Sequence, residues 1–230
     1  MHTMVASMGH CCASTLRHMI TLRGFVTVVA LMSAAPGGLT LFGLGIASAS
    51  PGASCHGQPA TVVGSNRSDT YLDQEDSDNP NPRLRNHDVV VLGGGRDTVY
   101  LSGEATSLTI CGGSGNDRLI VNGANFGKDY FYGQSGDDTL GNGADPDELQ
   151  PKAWMTLSGG PGRDALYGSF LRDRLLGDGG NDIAEGGEGP DRFGMGSGDD
   201  RADGQEGKDE IDGGTGNDRC RAEIKRRCER

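Results

Sequence analysis

Nine residues set the period of this chain. From Gly159 to Arg221 it divides without insertion into GGPGRDALY, GSFLRDRLL, GDGGNDIAE, GGEGPDRFG, MGSGDDRAD, GQEGKDEID and GGTGNDRCR. Aspartate holds the sixth place of every block: Asp164, Asp173, Asp182, Asp191, Asp200, Asp209 and Asp218. Glycine holds the fourth place except at Leu171: Gly162, Gly180, Gly189, Gly198, Gly207 and Gly216. The eighth place is apolar throughout, from Leu166 and Leu175 to Ile211 and Cys220. A period this short excludes helix pairs and conventional domains, and leaves a solenoid.

Each block reads as a tight turn followed by a very short strand. Glycine supplies positive φ and lets carbonyls face inward. The eighth residue points into the interior while the seventh and ninth point out, as strand alternation demands. Two blocks make one coil, so the spacing predicts an all-β fold, a right-handed parallel β-roll (a β-helix-like solenoid) with short N- and C-terminal caps. Aspartates from every second block then lie about 4.8 Å apart. Such carboxylates repel by roughly 1 kcal/mol per pair even in a water-like dielectric. A cation between coils removes that repulsion. Ca²⁺ suits the place, because it takes about six to eight hard oxygen ligands, whereas Mg²⁺ demands a tighter octahedron and keeps its waters. Aspartates and inward carbonyls supply such oxygens, the carbonyls from Gly112, Gly115, Gly136 and Gly159 and from the fourth-place glycines. One apolar residue in nine cannot offset roughly 1–2 kcal/mol of backbone entropy per residue. Metal binding and folding are therefore expected to be one event.

Upstream the period persists with insertions. Asp88-Val89-Val90-Val91 leads into LGGGRDTVY (Asp97), followed by GGSGND (Asp117), FGKD (Asp129) and GQSGDD (Asp138). Parity puts Asp97, Asp117, Asp138, Asp164, Asp182, Asp200 and Asp218 on one side of the roll, and Asp88, Asp129, Asp173, Asp191 and Asp209 on the other. Rungs near Ser107–Ile110 and Met155–Leu157 lack the aspartate and predict gaps in the second column. GSNRSD, ending at Asp69, is a degenerate repeat with Arg67 where glycine belongs. The acidic, Pro- and Asn-rich run Leu72–Arg85 is expected to be a surface loop rather than an EF-hand, because Pro80 and Asn81 occupy places needing an oxygen ligand and a glycine. Asn142–Trp154 is an inserted loop, and Trp154 is expected to be a packing plug. The chain thus divides into 1–49, a cap and acidic loop at 50–87, irregular rungs at 88–158, regular repeats at 159–221 and a closing cap at 222–230.

Residues 1–49 hold Arg17 and Arg23, no acidic residue, apolar runs at 24–35 and 39–46, and Ala47-Ser48-Ala49. This fits a secretory signal peptide, with Met19 as an alternative start. A retained membrane anchor is the other reading, and Pro36-Gly37-Gly38 interrupts the span it needs. Gly52-Ala53-Ser54-Cys55 lacks the aliphatic residue of a lipoprotein signal. The remainder keeps 19 basic against 32 acidic residues, which makes nucleic acid a poor partner. Four cysteines remain, Cys55, Cys111, Cys220 and Cys228. An even number in an exported chain suggests two disulfides, and three pairings are open. Cys220–Cys228, close in sequence, is favoured, leaving Cys55–Cys111.

The residues give no catalytic constellation. Three of the five histidines fall within 1–49, so no zinc site can be assembled. No serine lies in G-x-S-x-G. Paired carboxylates abound, as a glycosidase would need, but the repeat accounts for nearly all of them.

Residues 88–221, with the pattern GGxGxDxUx (U apolar), resemble the haemolysin-type or RTX calcium-binding repeat family. The opening CHGQPATVVG and the Cys-rich close make the chain from 50 onward similar to small secreted calcium-binding repeat proteins of high-GC Gram-positive bacteria. The resemblance implies a right-handed parallel β-roll, Ca²⁺ at the GGxGxD turns and an extracellular place. The sequence carries no large effector domain ahead of the repeats, so toxin, protease or lipase activity is not expected. An extracellular structural, binding or adhesive role is the expectation, with cell-surface glycan or self-association as candidate partners. The alternative is an accessory module or weakly active enzyme acting on polysaccharide, whose aromatics would cluster at Tyr130, Phe131 and Tyr132.

Overall fold

The computed structural model describes residues 52–72, 83–102, 105–122, 126–143 and 152–229. The expected signal segment, most of the acidic loop and most of the 142–154 insertion lie outside them.

The chain zigzags between two parallel sheets. One sheet has eight strands: Thr70–Leu72, Thr98–Leu101, Arg118–Val121, Thr139–Asn142, Ala165–Tyr167, Ile183–Glu185, Arg201–Asp203 and Arg219–Arg221. The other has nine: Val62–Val63, Val89–Gly94, Thr109–Ser114, Phe126–Ser135, Lys152–Pro161, Arg174–Gly179, Arg192–Gly194, Glu210–Asp212 and Ile224–Arg226. Successive strands of the chain belong to opposite sheets, so each pairs with the strand two ahead of it. This is the all-β parallel roll that the nine-residue period requires. The rungs begin earlier than the clean repeats do. Val62 pairs with Val90 and Thr70 with Thr98, across the degenerate GSNRSD turn.

Eighth-place side chains form two inward columns. On one sheet Val99, Leu119, Leu140, Leu166, Ala184 and Ala202 are in register, all buried. On the other, Val90, Ile110, Phe131, Leu157, Leu175, Phe193 and Ile211 match them. The core is uneven along the axis. Strands before Pro161 bury additional residues such as Leu92, Leu101 and Val121, whereas strands after Ala165 mostly bury one each. Phe131 is fully buried, which removes it from the aromatic cluster of Tyr130, Phe131 and Tyr132 considered as a glycan patch.

Each terminal segment is tied to the roll by a disulfide. A small antiparallel hairpin, Ser54–Cys55 with Gln58–Pro59, is held to the nine-stranded sheet by a Cys55–Cys111 disulfide, and His56 stacks on Tyr132 with ring centroids 3.5 Å apart. Cys220–Cys228 ties back the last turn. There the basic residues meet acids of the previous rung: Arg226 with Glu210 at 2.8 Å, and Arg227 with Asp212 through two donors. These pairs are exposed and contribute about 0–1 kcal/mol each. Their larger effect is to occupy the terminal rung, whose open backbone groups would template another chain.

The uneven core predicts uneven dependence on metal. Hydrogen exchange on the chelated protein should show loss of protection across 159–221 first, with 89–121 retaining more. Uniform loss along the roll would contradict this division.

Candidate metal centres

The strand register brings the sixth-place residues into two lines. The first contains Asp97, Asp117, Asp138, Asp164, Asp182, Asp200 and Asp218, each immediately before a paired strand residue. The second runs Asp88, Leu108, Asp129, Met155, Asp173, Asp191 and Asp209. The two interruptions are thus Leu108 and Met155, both buried apolar side chains standing in carboxylate slots.

Within each line one hydrogen bond repeats. The N–H of a sixth-place residue donates to Oδ1 of the next aspartate along: Asp97 to Asp117 at 2.8 Å, Asp117 to Asp138 at 2.7 Å, Asp138 to Asp164 at 2.8 Å, and so to Asp218. The second line follows the same rule. Leu108 donates to Asp129, Met155 to Asp173, Asp173 to Asp191 and Asp191 to Asp209. Two members escaped sequence reasoning. Asp69 begins the first line by donating to Asp97, and Glu223 ends the second by accepting from Asp209. The degenerate turn hinted at Asp69. Glu223 lies outside the period and had no signal. A further, exposed ladder runs through the fifth place, where Asn116, Asp137, Asn181 and Asp199 accept from the next residue in line.

The other carboxylate oxygen decides what a slot can hold. Oδ2 of Asp97, Asp117, Asp138, Asp164, Asp182, Asp191, Asp200 and Asp218 is buried with no hydrogen-bond partner. An unpartnered buried carboxylate oxygen is costly. Six of them face a first-place glycine, and at Asp97 and Asp200 the first place is Leu92 and Met195. A Cβ on Gly177 would lie 2.5 Å from Asp182 Oδ2 and 2.5 Å from the Met195 carbonyl. On Gly112 it would lie 2.5 Å from Asp117 Oδ2 and 2.7 Å from the Gly133 carbonyl, and Gly159 similarly abuts Asp164. Fourth-place carbonyls stack along the roll. That of Gly162 points at the α-carbon of Gly180, that of Gly180 at Gly198, and that of Gly198 at Gly216. Gly115 and Gly136, and Gly189 and Gly207, repeat the contact. No three His, Cys, Asp or Glu side chains converge among the described residues. Backbone carbonyls must therefore complete any cation's shell, and the donors are all hard oxygens, which suits Ca²⁺.

Three of the expected ligands stand apart. Asp173 Oδ2 accepts the Ser169 N–H at 2.5 Å and the Ser169 hydroxyl at 2.8 Å, while Ser169 Oγ accepts the Leu171 N–H. Leu171 avoids the positive φ of its glycine counterparts. The Asp69 turn is built identically on Ser65 and Arg67. In both turns the second-place serine satisfies the carboxylate with its N–H and hydroxyl, and the fourth-place residue, no longer glycine, donates its N–H to that serine. Asp88 is likewise spent, on Thr61 Oγ1 and the Arg85 N–H. Asp129 is buried, with its Oδ1 accepting from Leu108 and apolar neighbours in the slots on either side. The second line thus keeps two consecutive aspartates of the regular turn type, Asp191 and Asp209.

Burial raises these carboxylates. Desolvation first, then neighbouring aspartates, push Asp97 and Asp138 up to about 6, Asp164 and Asp182 to about 7, and Asp191 to about 8, against backbone hydrogen bonds that lower them. Asp117, Asp200 and Asp209 are raised by the same desolvation.

Residues 112–149, 158–193 and 196–222 match the family model of the RTX calcium-binding nonapeptide repeat, in four copies. These segments are RTX repeats, and the ion such repeats bind is Ca²⁺. Among curated proteins and among solved structures, no significant match is found.

Two outcomes follow from this geometry. Ser169→Gly with Leu171→Gly restores the regular turn beside Asp173 and should add one bound Ca²⁺, counted by native mass spectrometry. An unchanged count would refute the serine-for-ion reading. In the metal-free chain, carboxyls raised by folding bind protons more tightly when folded. Their contribution is complete below about pH 4 and is lost as pH rises through about 6 to 8 at Asp97, Asp164 and Asp191. Circular dichroism of the stripped protein should show more strand at pH 5 than at pH 8.5. The reverse order would contradict the assignment.

Proposed function

We propose that this chain is an extracellular calcium-binding repeat protein whose roll forms as its aspartate columns take up Ca²⁺. The observation that carries this reading is the row of eight buried Oδ2 atoms without a hydrogen-bond partner. With Ca²⁺ bound, each column gains the positive charge that its stacked carboxylates need to remain ionised. The chain's own part is to hold the oxygens in place. Oδ1 is fixed by the backbone of the preceding rung, so Oδ2 is aimed at the neighbouring turn without rotamer freedom. Sites of this extracellular kind bind at about 10⁻⁴ to 10⁻³ M. Two disulfides support an oxidising compartment. Among the described residues no helix is long and apolar enough to cross a membrane. The carboxylates fit a metal-binding role better than a catalytic one, because the sixth-place acids are committed to the ladder.

Calorimetric titration of residues 50–230 with Ca²⁺ should give multiple ions and a folding enthalpy in one transition. Asp182→Ala should lower the ion count, since it removes an oxygen facing the Met195 rung. Strand content that persists unchanged through chelation at pH 7.5 would overturn the coupling.

A further inference from the structure

The outer face of the nine-stranded sheet carries a feature that metal binding does not use. Lys128, Tyr130, Trp154, Arg172, Arg174 and Arg192 line an open groove of about 260 Å³. It adjoins a second of about 490 Å³ that shares Lys128, Tyr130 and Trp154 and reaches Gln58 and His87. Trp154, expected as a packing plug, is 48% exposed. The Lys128 ammonium sits over its ring, 5.1 Å from the centroid. Register sets the rest of the row: Trp154 beside Lys128, Thr156 beside Tyr130, then Arg174, then Arg192.

Four cations here are out of keeping with a chain of net charge −11. Arg174 and Arg192 are direct cross-strand neighbours, about 4.8 Å apart along the sheet, a like-charge pairing that destabilises. Arg192 reaches Glu210 only at 3.8 Å, and Lys128, Arg172 and Arg174 form no salt bridge among the described residues. A row of cations, three of them without a salt bridge among the described residues, beside an exposed aromatic ring fits an anionic ligand.

The geometry points to an acidic polysaccharide, its carboxylate-bearing sugars lying across the rungs from Lys128 to Arg192. The indole face offers an apolar platform for a sugar ring. The guanidinium forks match carboxylates through two parallel hydrogen bonds. The row spans three strand spacings, about 14 Å, which suits a chain rather than a single anion. A neutral glycan would leave the cations unpaired. A nucleic acid of greater length would meet the acidic remainder of the surface. The inference is independent of how many ions the columns hold, and needs only the folded roll.

Trp154 is the sole tryptophan, so its fluorescence reports on this groove alone. The Ca²⁺-loaded chain is titrated with a short glucuronate-bearing oligosaccharide, its methyl ester and a single-stranded DNA oligomer, with circular dichroism confirming the fold of every variant. The glucuronate oligomer should shift the emission saturably and in a salt-sensitive way. Arg174→Ala with Arg192→Ala should weaken binding roughly tenfold or more, about 1.4 kcal/mol. Arg201→Ala, on the other sheet, should leave it unchanged. A folded protein whose emission does not respond would overturn the proposal. So would equal binding of the methyl ester, or tighter binding of the DNA. A shift that tracks protein concentration, with dimer seen by sedimentation, would assign the groove to a second copy instead.

Discussion

A backbone N–H donating to the carboxylate of the next coil is the interaction on which this molecule depends. It fixes the aspartate rotamer, sets the register between rungs and delivers a second oxygen to a buried place. A hydrogen bond to a charged acceptor contributes about 1.5–3 kcal/mol, and here it recurs at nearly every rung. The same bond creates the difficulty that defines the protein. It draws carboxylates into stacks where desolvation and mutual repulsion oppose their charge. The regular rungs thus depend on what fills the space beside Oδ2.

The chain answers that difficulty in three ways, and they are distributed unevenly. At Asp182 or Asp191 the oxygen is left bare beside a glycine and a carbonyl, a site for a hard cation. At Asp69 and Asp173 a serine from the same turn supplies two donors, and the turn closes without an ion. At Leu108 and Met155 the carboxylate is gone and an apolar side chain occupies the slot. The last two answers fall within residues 64–173, whose strands up to Pro161 are longer and bury more. The 174–221 segment relies on the first alone. Electrostatic and hydrophobic stabilisation therefore trade places along the axis of one continuous roll.

Because the interior is committed to the ladder and to the apolar columns, outward positions are free to vary. Seventh- and ninth-place side chains give each sheet its own surface. On one, Tyr167, Glu185 and Asp203 are aligned. On the other, cations and aromatics gather around Trp154. The repeat thus behaves as a scaffold whose inner chemistry is uniform and whose faces are individual.

The sequence by itself determined the period, the all-β roll, the two lines of aspartates and the places where the second line breaks. All of these follow from a spacing of nine and from strand alternation, which are local properties. Other features belonged to the tertiary structure. Whether Asp173 is open to a cation depends on where the Ser169 hydroxyl turns, and that is a matter of three-dimensional donors. Asp69 and Glu223 join the columns only because strands distant in sequence bring them into register. Phe131 and Tyr130 are adjacent in the chain, yet the pleat sends one inward and the other out. The cations beside Trp154 come from three strands and an intervening turn. Composition could count those charges, but only the stacking of rungs places them side by side.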